Sequence, residues 1–356
     1  MTGKIGKDEK EVCMEAVSLV KSKKYSHRLG REQDRSMTIK KDETIKLIKY
    51  VTGSVAAVLL AAALQLQFAY AAGIITLLTI QDTKKETVRI TAKRMVIFVI
   101  MTALSALVFP LAGYHVWAFG IVLIPYLFCC MALDMREAIA PIAVLCTHYI
   151  SAQSCSPDMM MNEFLILIIG AGIGTLWNLF MPDGKRHLIS YQQNVDEKIV
   201  NILKRMALYI EREDKSDYTG SCFDELDAML ADLKKEALRY MNNHLITEDD
   251  YYYEYMLMRT RQCNILKRIY ADIIRLTATP EQGKKLTDFI RKTADEFAEQ
   301  NDVSTLLAEL ERLHHYYEQQ ELPATRQEFE NRSMLYHILE DMKSFLEIKK
   351  KFVTEI

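Results

Sequence analysis

No Lys or Arg occurs from Val51 to Ile80, and Arg136 is the only one from Met95 to Phe180. Such long cation-free stretches belong in lipid rather than in a soluble core. Other absences narrow the chemistry. The seven cysteines (Cys13, Cys129, Cys130, Cys146, Cys155, Cys222, Cys263) form no C-x-x-C pair, and none stands near a histidine at metal-ligand spacing, so neither a disulfide framework nor a zinc site is indicated. There is no nucleophile elbow, kinase signature or H-E-x-x-H helix. No catalytic residue, cofactor or metal is therefore assigned, and the chain is read as a non-enzyme. The opening residues hold no continuous apolar core that could serve as a secretory signal. Nothing after Lys185 alternates with the period of a strand.

What is present is divided unevenly. The 356 residues carry 45 Lys and Arg against 47 Asp and Glu, a balance that resembles an ordinary soluble protein. That average conceals two objects. Apolar residues concentrate between about Ile45 and Pro182, and charged residues concentrate in the last half. We therefore expect an all-α chain in three parts: a polar arm over 1–42, a transmembrane domain of six helices over 43–182, and a cytoplasmic helical domain over 183–356. Met37 makes a natural start before the first membrane helix, so the 36 residues ahead of it are read as an extension the fold does not need.

The membrane topology is organised by the basic island Gln81–Arg94, in which five Lys or Arg stand between two apolar runs. Ile45–Leu66, Phe68–Ile80, Met95–Phe109, Val116–Leu133, Ala138–Gln153 and Phe164–Phe180 are the six expected crossings. Gln65–Gln67, Pro110–His115 and Ser154–Asn162 form the outer turns, and the basic island, Asp134–Glu137 and Pro182–Arg186 form the inner ones. With six crossings every basic cluster falls on one side of the bilayer, with both chain ends on that cytoplasmic side. Gly53, Ala56, Ala57 and Ala61 favour close packing of the first helix. Gly170-Ala171-Gly172-Ile173-Gly174 lies inside an apolar span, follows no strand and lacks the Lys-Ser/Thr of a phosphate loop. It is read as a small-xxx-small contact face, not a nucleotide site.

In the last half, Leu226, Leu230, Leu233 and Ala237 share one helical face. Val303, Leu306, Leu310, Leu313 and Tyr317 share another, and Leu335, Ile338, Met342 and Phe345 a third. Asp302 reads as a helix start, Pro280 and Pro323 as first-turn residues, and Thr247 as a boundary. The expectation is a bundle of five or six amphipathic helices. His314-His315 among acids and Tyr251-Tyr252-Tyr253 read as surface and packing residues.

Ionisable groups in or beside apolar spans carry a functional prior, because leaving them in lipid is costly. The candidates for a transport pathway or proton coupling are Gln81, Asp82, Arg94, Asp134, Arg136, Glu137 and His148. Several have a plain alternative. Asp134, Arg136 and Glu137 also suit a solvated turn, and His148 with Tyr149 also suits an anchor near the outer interface. Lys84, Lys85, Arg89, Lys93, Arg94 and Arg136 suit an anion path, and equally the positive-inside rule.

Two stretches carry a family resemblance. Thr79-Ile80-Gln81-Asp82-Thr83 followed by Thr87 and Arg94 is similar to a Gln-x-Thr stretch leading to a basic residue at the third span. Gly170–Gly174 followed by Asn178-Leu179-Phe180-Met181-Pro182 is similar to a Gly-rich last span ending in Asn, apolar residues and Pro. With these the chain resembles the aromatic acid exporter family, in its short Gram-positive form related to the fusaric acid resistance proteins. It departs from that pattern where Met95-Val96-Ile97-Phe98 replaces a Gly-Thr. The resemblance implies a multi-pass plasma-membrane exporter of aromatic or related carboxylates, coupled to protons. Asp82, Asp134, Glu137 and His148 are then the groups available for coupling. The implied partners are the lipid bilayer, a small organic anion and further copies of the chain in a homo-oligomer, with no nucleic acid. Two other classes stay open at this point: an anion channel, and a membrane-anchored sensor or scaffold whose helical domain binds a partner.

Overall fold

The computed structural model describes residues 44–180, 185–244, 250–277, 281–298 and 301–355. The expectations for the polar arm and Met37, the Pro182-Asp183-Gly184 junction, Thr247 and Pro280 lie outside these residues. Every regular element among them is helical, and the chain divides into two units, Met1–Met181 and Pro182–Ile356.

The first unit contains α1 (Thr44–Ala63), α2 (Tyr70–Thr79), α3 (Lys84–Ala112), α4 (Val116–Ala132), α5 (Ile139–Ser151) and α6 (Pro157–Leu179). Contacts at the helix ends show that successive helices alternate in direction. At one end Lys46 of α1 pairs with Asp82 beyond α2, Lys93 of α3 reaches Glu137 just before α5, and Asn178 of α6 reaches Gln81. At the other end Asn162 of α6 binds Gln67 in the α1–α2 turn, and the Cys155 N–H donates to the Tyr114 hydroxyl between α3 and α4. Among the described residues α1, α3 and α6, with 20, 29 and 23 residues, are long and apolar enough to cross a membrane alone. At ~1.5 Å per residue they reach about 30 Å or more, the thickness of a hydrocarbon core. The other three are shorter, with 10 residues in α2, 17 in α4 and 13 in α5.

Two expected boundaries shift. The basic island is not a turn, because α3 begins at Lys84 and carries it as helix. Thr83 accepts the Glu86 N–H and Glu86 sits three residues on, the pattern of an N-terminal capping box. The loop expected over Ser154–Asn162 is helical from Pro157, with the Ser156 hydroxyl accepting the Met159 N–H, Pro157 in the first turn and Asp158 beside the positive helix end.

Small residues bring α1, α2 and α6 together. Gly53, Ala57 and Ala61 of α1 are buried, whereas Ala56 is only half-buried. A Cβ at Gly170 would stand 2.7 Å from the Ala72 carbonyl, and one at Gly174 2.8 Å from Thr79 Cβ, so these two glycines seat α6 on α2. The third glycine of the run, Gly172, has open space around it. Ile97 and Phe98 are buried where the family resemblance puts a Gly-Thr, so α3 packs there through large side chains. Leu47, Val51, Val55 and Leu59 leave the outer side of α1 apolar and exposed, as a lipid-facing surface requires.

The second unit holds six helices among the described residues: α7 (Lys185–Glu211), α8 (Ser221–Asn243), α9 (Tyr251–Arg275), α10 (Glu281–Asp295), α11 (Ser304–Glu318) and α12 (Arg326–Glu355). The three apolar faces form one core, with Tyr317 packed at its edge. Asp302 holds the start of α11 by accepting the Ser304 N–H at 3.1 Å. Pro323 stands outside α12, where Thr325 accepts the Glu328 N–H instead. Tyr252 is buried, and Tyr251 and Tyr253 pack against the same core.

A buried cation sits inside that bundle. Arg259 is fully enclosed, 2.8 Å from Asp196 of α7, with its Nε also donating to the Tyr255 hydroxyl and its Nη1 to Gln262. Gln262 in turn donates to the Phe345 carbonyl of α12 at 2.8 Å. The guanidinium also lies over the Phe297 ring, 4.5 Å from its centre. One side chain therefore ties α7, α9 and, through Gln262, α12.

Candidate functional site

The polar residues of the first unit gather at its two ends. At the basic end, α3 carries Arg94 inward, where it is 2% exposed. Its Nη1 donates to Thr79 Oγ1 at 2.5 Å, and its Nη2 donates to the Leu78 carbonyl at 2.8 Å and more weakly to the Glu137 carbonyl at 3.5 Å. Every one of these acceptors is neutral. Glu137 turns its carboxylate instead to Lys93, 3.4 Å away. Among the described residues no carboxylate pairs with Arg94, and its Nε is buried without a partner. A guanidinium enclosed in this way keeps its charge and offers a forked set of donors, which suits a planar carboxylate.

The receiving surface is made by the end of α2 and by α6. α2 stops at Thr79 because Ile80 turns extended, and the backbone thereby released runs alongside α3. Gln81 donates its side-chain amide to Leu78 and its backbone N–H to Thr87 Oγ1. Asn178 of α6 closes the group by donating to Thr87 Oγ1 at 2.6 Å, the Gln81 carbonyl at 3.1 Å and the Thr83 carbonyl at 3.3 Å. Its Oδ1 is buried and has no partner. The cluster thus retains one unused donor, Arg94 Nε, and one unused acceptor, Asn178 Oδ1.

Of the residues singled out in the sequence, Gln81 and Arg94 meet in this cluster, with Glu137 contributing a backbone oxygen. Asp82, Asp134, Arg136 and Glu137 place their side chains on the exposed surface of the same end. Asp82 pairs with Lys46, and the Asp134 carbonyl accepts Lys93 at 2.6 Å. His148 does not join them. It lies at the opposite end, its Nδ1 2.6 Å from Glu163 Oε2 and its ring stacked 4.3 Å from Phe68. Glu163 and Asn178 are 15 positions apart on α6, so the two groups are separated by about 22 Å of helix. His148 and Tyr149 are both buried.

Glu163 and Asn178 were not among the sequence candidates. Glu163 was legible as a carboxylate embedded in an apolar helix, but a span begun at Phe164 excludes it by one residue. Asn178 looks like a helix-end polar residue until α6 is placed against the α2–α3 junction. In the second unit, His314 faces Glu340 at 2.7 Å and His315 is exposed beside Glu318. Among the described residues no group of three or more His, Cys, Asp or Glu side chains is placed to hold a metal.

Comparison with known proteins accounts for both units. Residues 43–181 match the model of "Aromatic acid exporter family member 1", and residues 185–350 match "Putative aromatic acid exporter C-terminal domain". Among curated proteins the chain is 30% identical over 307 residues to the uncharacterized protein YqjA of Bacillus subtilis (strain 168), a match covering 86% of this chain and 95% of the relative. Among solved structures it is similar to a putative membrane protein from Clostridium difficile 630, at 29% identity and a TM-score of 0.42, over 48% of this chain and 99% of that one. With family models covering the apolar unit and the helical unit alike, the chain belongs to the aromatic acid exporter family, a family of membrane exporters.

Proposed function

We propose that this protein is a multi-pass plasma-membrane exporter of aromatic or related organic carboxylates, driven by the proton gradient. The carrying observation is Arg94: a buried guanidinium bonded only to neutral acceptors, with its Nε unused. A substrate carboxylate supplies the missing anion, and the spare Asn178 Oδ1 suits a ring hydroxyl or other donor on the same molecule. Alternation of the six apolar helices, with the basic residues at one end, supports six crossings with that end and the helical C-terminal domain in the cytoplasm. The Lys and Arg there raise the local concentration of organic anions at the inner mouth. Several copies of the chain assemble around the path.

The test is efflux of labelled hydroxybenzoates from cells with and without the protein. We expect faster efflux that collapses with an uncoupler. Arg94→Gln should lower it by about a hundredfold and Arg94→Lys by about tenfold, since removing one partner of a buried charge-assisted contact costs ~1.5–3 kcal/mol. Efflux that survives Arg94→Gln at full rate would exclude this residue from substrate recognition. Unitary currents in planar bilayers would replace the carrier with a channel.

A further inference from the structure

The far end of the first unit holds a second buried ionisable group. Glu163 is fully enclosed on α6 and His148 nearly so on α5, with Nδ1 and Oε2 2.6 Å apart. Two ionisable side chains placed this way in an apolar helical layer are costly unless the site uses them. Among the described residues no ion pair reaches either group apart from their own. α2 and α4 contain no charged residue, and α3 contains none from Met95 to Ala112. Tyr149, next to His148, is in electrostatic reach of Glu163, Cys146 and Cys155; Tyr149 is engaged with Thr102 and Cys146 with Ser105.

The charge balance follows. With the imidazole neutral and the carboxylate ionised, the pair carries a net charge of −1 in a low-dielectric layer. One further proton, taken up by either partner, brings its net charge to zero.

That change is wired to a turn. The second oxygen of Glu163, Oε1, accepts Asn162 Nδ2 at 2.9 Å. The same Asn162 amide donates to the Gln67 carbonyl at 3.1 Å, while its Oδ1 accepts the Gln67 N–H at 2.8 Å. The next residue, Phe68, lies in the left-handed region at φ 59 and stacks on His148. An aromatic residue held at positive φ persists only where its surroundings enforce it, and here they are the histidine ring and the Asn162 clamp. Neutralising Glu163 weakens its pull on the Asn162 amide, and altering His148 alters the ring beneath Phe68.

We propose that His148 and Glu163 form the proton-binding site of this transporter, and that Asn162 and Phe68 pass its charge state to the α1–α2 turn. The proposal rests on the exporter reading for its role in coupling. Its place is consistent with that role: Glu163 lies about 22 Å along α6 from Asn178, at the end that faces outward when the basic end faces the cytoplasm. A proton entering from outside and an anion entering from inside then meet sites at opposite ends of the same helical unit.

Infrared difference spectra of the full-length protein in lipid, taken between about pH 5 and about pH 8, test proton binding without any substrate. We expect a protonated-carboxyl band that disappears in Glu163→Gln, shifts in His148→Gln and persists in Glu137→Gln. A band unchanged by Glu163→Gln overturns the proposal. In proteoliposomes, Glu163→Gln should lower carboxylate movement driven by a pH gradient on the order of tenfold, with a much smaller loss of carboxylate exchange at equal pH. Equal losses in both assays overturn the coupling role. If wild type titrates through Glu163 yet moves no aromatic carboxylate, the exporter reading fails and the proton site stands.

Discussion

Asn178 on α6 and Thr87 on α3 are joined by a 2.6 Å hydrogen bond that ties the two helices together at the α2–α3 junction. The same amide also reaches the Gln81 and Thr83 carbonyls, so one side chain holds the end of α6, the α2–α3 junction and the first turn of α3. Replacing it by Leu leaves those buried acceptors short of a donor. Asn178→Leu should cost about 1–3 kcal/mol of stability and weaken substrate binding. Thermal unfolding in detergent and the substrate dependence of efflux check the two effects, and an unchanged melting temperature would show that this tie is dispensable.

The two contact glycines and the open one make a controlled comparison. Gly170→Leu drives a side chain into the Ala72 carbonyl and Ile75, 2.7 and 2.8 Å from the first added carbon. Overpacking of this kind typically costs about 1–3 kcal/mol, and here it also separates α2 from α6. Gly172→Ala meets nothing within 4 Å and should raise stability by up to ~1 kcal/mol through helix propensity. Thermal melts of the two variants should move in opposite directions.

Removing the buried cation of the helical domain breaks a network spanning three helices. Arg259→Met leaves Asp196 and Gln262 without their partner and should cost about 3 kcal/mol, toward the low end for buried pairs because Asp196 is 20% exposed. Adding Asp196→Asn should recover part of the loss. Denaturant titration followed by tyrosine fluorescence of the full chain measures both. A double variant as unstable as the single one would place the cost in the lost Phe297 and Gln262 contacts instead.

Burial pushes the Cys263 thiol up to about 12. In the unfolded chain the same thiol ionises near ~8.5. The folded protein therefore holds this proton more tightly, so the contribution of Cys263 to stability is complete below about pH 8.5 and is lost as pH rises from there toward about 12. Reactivity follows the thiolate. At about pH 8, alkylation of Cys263 in the native protein should be roughly a thousandfold slower than in denaturant on ionisation alone. Peptide mass spectrometry after timed alkylation reads the ratio, and comparable rates would mean that this helix interface opens freely.

Much of the architecture was visible one residue at a time. The cation-free stretches, the clustering of Lys and Arg between apolar runs and the 3.6-residue faces of α8, α11 and α12 are properties of local order, and the helices follow them. The capping patterns at Thr83 and Ser156 were equally local. Reading both segments as turns came from giving charge and polarity more weight than cap chemistry.

The fates of Arg94 and His148 were not local. Both are rare ionisable residues beside apolar runs, as are Asp82 and Asp134, and composition does not separate the buried pair from the exposed one. The difference is rotational phase: α3 turns Arg94 toward Thr79 and α5 turns His148 toward Glu163, whereas Asp82 and Asp134 fall on solvated turns. The sequence by itself determined that the chain is all-helical, that its first half is apolar with one basic end, and which residue types could carry chemistry there. The tertiary structure alone decided which of them lose water and what replaces it. That outcome depends on helices such as α2 and α6 approaching closely enough, at Gly170 and Gly174, to exclude solvent from side chains distant along the chain.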